Sequence, residues 1–122
     1  MNRKTLKARS NNAANPNQNV CAQAVARALG VADAVRYLHT AEDLHRAART
    51  RYSVRSVKSA LKARTVGAAR KRMPEVDGAH GFIVVVPGHV LLLDRDGRTV
   101  VDTDPRKRDG RKMVMVHALY AK

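Results

Sequence analysis

One cysteine, one phenylalanine, three tyrosines and no tryptophan leave this chain poor in the residues that staple or stack small domains. The lone cysteine, Cys21, excludes an internal disulfide framework and a Cys-rich zinc site. It points to a reducing compartment, or to a thiol kept for its chemistry. The few aromatic residues leave no base-stacking platform, so any nucleic-acid contact would be mostly electrostatic and salt-sensitive. Apolar runs are short: residues 82–86 and 90–93 are strand-sized and far below membrane-spanning length. The basic N-terminus has no apolar stretch behind it, so no signal peptide is read there, and a soluble protein is expected. Acids are scarce too. Ten stand against 24 Lys and Arg, a net charge of +14, which favours polyanionic company such as nucleic acid or an acidic protein face.

At 122 residues the chain can close one modest core. Residues 1–19 combine Arg3, Lys4, Lys7 and Arg9 with an Asn-rich stretch broken by Pro16, and are expected to form a basic arm, with the folded domain over 20–122. From Cys21 the spacing of Ala22, Val25, Ala26 and Leu29 predicts a helix stopped by Gly30. Asn19 is its expected N-cap, which would put Cys21 in the first turn. A second helix ends near Arg49, with Thr40 and Asp43 placed like a capping box. A third is predicted from Ser53, where Val54, Val57 and Leu61 form an apolar stripe and Arg55, Lys58 and Lys62 a basic ridge. Between His45 and Met73 there are ten Lys or Arg and no acid. With Arg70, Lys71 and Arg72, that ridge is the expected contact for nucleic acid or an acidic partner; a merely solvated helix face is the plain alternative.

After residue 74 the pattern turns to strands at 82–86, 89–93, 99–101 and 113–116, with Pro87-Gly88 and Asp96-Gly97 as turns. Helices first and strands last predict an α+β fold, with the early helices on one face of a small antiparallel sheet.

Cys21 at a helix start would have its thiolate favoured by unpaired backbone N–H groups. Alone, it is more often a small buried hydrophobe. His89 opens an apolar strand directly after Gly88, and its relation to Asp102 depends on the intervening turn. A two-residue turn at Asp96-Gly97 sets Asp102 opposite Leu91 and diagonal to His89; a turn at Arg95-Asp96 sets it directly across from His89. Either puts the carboxylate within reach of the imidazole, whereas a three-residue loop would send the two side chains to opposite faces. A cysteine, a histidine base and an orienting acid are the parts of a thiol nucleophile for acyl transfer or amide hydrolysis. Candidate oxyanion donors are the Cys21 backbone N–H and the side chains of Asn15, Gln18 and Asn19. His39, His45, His80 and His117 show no ligand spacing, basic residues interrupt Asp102, Asp104 and Asp109, and no Gly-rich phosphate loop occurs, so neither a metal nor a cofactor is expected.

The order of a cysteine opening an Ala-rich helix, Gly-His-Val opening a strand, then Asp-Gly and Val-Val-Asp-Thr resembles the papain-like superfamily. More narrowly it is similar to the small cysteine-peptidase-like proteins of tailed bacteriophages, over residues 19–103. The resemblance implies a papain-like fold and a peptidase or amidase acting on a peptide or protein, with Cys21 as nucleophile, His89 as base and Asp102 as orienter. It also implies residence in the host cytoplasm or the virion. Val20 stands where the family has an acid, and Asn15 where papain-like enzymes place the oxyanion-hole glutamine. Two other readings stay open: a papain-like scaffold without turnover that contacts virion proteins or DNA, and a basic nucleic-acid-binding protein of no hydrolase ancestry.

Overall fold

A computed structural model describes residues 16–103 and 109–122. Its first helix, α1, spans Pro16–Leu29. Proline is tolerated at a helix's first position because the missing N–H would have no partner there. The helix therefore starts ahead of Asn19, the expected N-cap, and Cys21 lies in its second turn. That correction removes most of the anticipated dipole assistance to the thiol, because the field fades within the first turn. Cys21, Ala22, Val25, Ala26 and Leu29 form its buried stripe. Gly30, with φ at +73°, ends the helix. The Val31 N–H reaches the Ala26 carbonyl at 2.9 Å and the Gly30 N–H the Arg27 carbonyl at 3.1 Å, the paired closure that a left-handed residue permits. α2 covers Ala41–Ala48 and opens with the expected capping box, Thr40 and Asp43 each satisfying the other's backbone N–H.

The helix predicted from Ser53 is replaced by a strand. β1, Tyr52–Ser56, is laddered along its whole length, and only Lys58–Leu61 is helical, as α3. The three-residue spacing of Val54 and Val57 suited a helix, but Tyr52 and Val54 also alternate on one face, and an available partner strand decided between them. α4, Val66–Arg72, runs into a 3-10 turn at Met73–Glu75. There follow β2 (Gly81–Val86), β3 (His89–Asp94), β4 (Thr99–Val101) and β5 (Met115–Ala121).

The result is an α+β domain with a five-stranded antiparallel sheet in the order β1-β5-β2-β3-β4. The last strand inserts between β1 and β2, so the sheet is not a sequential meander. Nor do the helices share one face. α1 and α2 close a cluster with Ile83, Val85, Val90, Leu92 and Leu119. On the opposite face α3, α4 and the 3-10 turn pack on Phe82, Val84, Val86, Leu91 and Leu93. β2 is buried at every position and β3 at all but its last. A strand covered on both sides needs an unbroken apolar run, which is what residues 82–86 and 90–93 supply. Each large side chain sealed there contributes about 1.5–3 kcal/mol.

Candidate active site

β2 and β3 are joined by the turn Pro87-Gly88, and the register pairs Val86 with His89. His89 therefore opens the central hairpin's second strand. It is 3% exposed, the one buried polar or charged residue among those described. Its Nε2 lies 2.6 Å from Asp102 Oδ1, and the side chains of both are largely shielded from water.

That contact depends on an irregularity. The Asp94 N–H donates to the Arg98 carbonyl at 2.8 Å and the Gly97 N–H to the Asp94 carbonyl at 3.0 Å, so the loop holds three residues, Arg95, Asp96 and Gly97. Such a loop alone would turn Asp102 away from His89. The ladder shifts, however: Leu93 pairs with Thr99 but Leu92 with Val101, so a bulge at Val100 restores the lost step. Asp102 then falls opposite Leu91 and diagonal to His89, the position the Asp96-Gly97 two-residue alternative had predicted by another route. Gly97, at φ +85°, makes the loop possible. Arg70 fastens it, giving one N–H to the Gly97 carbonyl and another to Asp109, both at 2.9 Å.

Cys21 arrives from α1. Its Sγ accepts the Val90 N–H at 3.1 Å, so the sulfur sits on the β3 backbone beside His89, at the stretch of edge that the short β4 leaves uncovered. The thiol is fully buried. Burial pushes its pKa up to about 11, and the charge on Asp102 acts in the same direction; the N–H groups of Val90, Cys21 and Ala22 oppose the rise. Burial therefore keeps the resting thiol in its protonated form at neutral pH. An Nε2–H donated to the carboxylate leaves the lone pair on Nδ1, the nitrogen able to take a thiol proton.

Asn15 and residues 104–108 lie outside the described residues, as does most of the proposed arm; Gln18 and Asn19 fall in the first turn of α1. The anticipated basic ridge is dispersed, because its helix does not exist. Arg55 is on β1 with its guanidinium 5.4 Å from the centre of the Tyr120 ring, Lys58 opens α3, and Lys62 caps it in the left-handed region. On α4, Arg70 is engaged with the β3–β4 loop and Arg72 stands 3.7 Å from Glu75, while Lys71 is exposed. Two features had no sequence signal. His45 of α2 stacks on His117 of β5 with ring centres 4.5 Å apart, and a cleft forms between α2, β1 and the C-terminus. Among the described residues no group of three or more His, Cys, Asp or Glu side chains could hold a metal ion, and no helix is long and apolar enough to cross a membrane.

Compared with known proteins, the chain matches no family model, no curated protein and no solved structure.

Proposed function

We propose that this chain is a papain-like cysteine peptidase or amidase of the tailed-phage kind, with Cys21 as nucleophile, His89 as base and Asp102 as orienter. One observation carries the reading. A helix near the front of the chain, the start of β3 and the residue after β4 supply the site's parts: the Cys21 sulfur rests on the Val90 N–H, one residue along from His89, and the imidazole rests on the Asp102 carboxylate. In the reaction His89 Nδ1 takes the thiol proton as Sγ bonds to the substrate's carbonyl carbon. The amide C–N bond then breaks, the amine leaves with that proton, and water hydrolyses the thioester to regenerate the thiol. Asp102 holds the ring and stabilises the imidazolium between these steps. Because the resting thiol is protonated, the proton must move as substrate binds.

The same burial favours a second reading, a papain-like scaffold without turnover, packaged in the virion or held in the host cytoplasm against virion proteins. Iodoacetamide labelling of Cys21 from pH 5 to 10 separates the two. A thiol served by His89 should label at a rate that levels off near neutral pH, and His89→Ala should abolish the plateau. An unassisted buried thiol gains about tenfold per pH unit up to its own pKa. A profile still climbing through pH 9, the same with and without His89, would reject the hydrolase.

A further inference from the structure

We infer that the cleft between α2, β1 and the C-terminus binds the phosphate backbone of nucleic acid. Its volume is about 650 Å³, and its wall carries Arg46, Arg49 and Lys122 together with the hydroxyl-bearing Thr50, Tyr52 and Ser53. Among the described residues no Asp or Glu side chain lines it. Arg46 lies in the last turn of α2 and Arg49 is its C-cap, still in the right-handed helical region, so the two share a face with Cβ atoms about 5–6 Å apart. Lys122 is brought to the same wall from the far end of the chain, its Nζ donating to the Arg49 carbonyl at 2.6 Å. That bond fixes an ammonium on the wall that also carries Arg46 and Arg49, so three cationic side chains share one cleft that an anion would bridge. Asp43 holds Arg46 from the helix's first turn and leaves its guanidinium more than half exposed. Guanidinium, ammonium and hydroxyl donors are the groups that contact phosphate oxygens, and such contacts carry no sequence information. The chain's +14 charge supplies the long-range attraction, and the cleft supplies the place. This assignment is independent of whether Cys21 turns over; Arg46 and Arg49 belong to the acid-free run between His45 and Met73, but the ridge of Arg55, Lys58 and Lys62 and the group Arg70, Lys71 and Arg72 take no part in it.

The test measures binding of the full chain to a fluorescent 20-base-pair DNA duplex between 50 and 200 mM salt. The cleft variant Arg46→Gln/Arg49→Gln/Lys122→Gln is compared with an equal-charge control, Arg55→Gln/Lys58→Gln/Lys62→Gln, and Lys122→Gln alone guards against misfolding of the triple variant. Three lost phosphate contacts should lower the slope of log affinity against log salt by about 2.7, so that affinity falls about 40-fold less across this range than in the parent. The control should stay near the parent, and the single variant should lose about a third of the effect. Equal losses in cleft and control variants would mean a diffuse field and overturn the assignment. So would displacement of the duplex by inorganic phosphate at matched ionic strength, by poly-glutamate in preference to DNA, or by anionic vesicles.

Discussion

The stacked pair His45 and His117 makes folding stability depend on pH in a calculable way. His117 is held at a pKa of about 4, first by burial and then by the neighbouring imidazole. Its Nδ1 is buried without a hydrogen-bond partner among the described residues, so a proton arriving there finds nothing to share it. His45 is lowered as well, by burial and by Arg49, with Glu42 pulling weakly the other way. An unfolded histidine titrates near 6.5, so between that value and about 4 the unfolded chain binds more protons than the folded one. The contribution is complete above pH 6.5 and drains away as pH falls toward 4. At pH 5, His117 alone should cost at most about 2 kcal/mol relative to pH 8, since solvent reaching the half-buried ring screens part of the effect, or up to roughly 8 °C in melting temperature for a chain of this size. Urea unfolding of the parent and of His117→Phe, which keeps a ring in the stack but cannot titrate, measures the difference. The variant should lose less between the two pH values, by about 1–2 kcal/mol; identical losses would show that the histidine stack is not the sensor.

Other consequences are equally direct. An added Cβ at Gly97 would lie 2.4 Å from the Arg70 carbonyl oxygen at a positive φ, so Gly97→Ala should destabilise the fold by about 1–3 kcal/mol in urea titrations. Because the same loop sets the β3–β4 register, it should also shift the His89 ring resonances, while Gly110→Ala, with open space around it, should do neither. Thr40→Ala removes one half of the α2 capping box and should cost about 1 kcal/mol by thermal melting without changing the labelling of Cys21.

What the amino-acid order determined by itself is the local chemistry and the fold class. The Ala-rich helix ending at Gly30, the capping box at Thr40, and strands at 82–86 and 89–93 follow from propensity, capping and turn residues acting over a few positions. Unbroken apolar runs also carried the information that both faces of the sheet would be covered. Long-range pairing decided the rest. β1 is a strand because β5 lies beside it, and residues 53–62, helical by spacing, could not show that. Cys21, His89 and Asp102 were visible as residue types in a suggestive order. The contact between His89 and Asp102 required a three-residue loop and a bulge at Val100 whose register shifts cancel, a sum no local signal contains. The histidine stack and the cationic cleft join segments from opposite ends of the chain, and only the closure of the core brings such segments together.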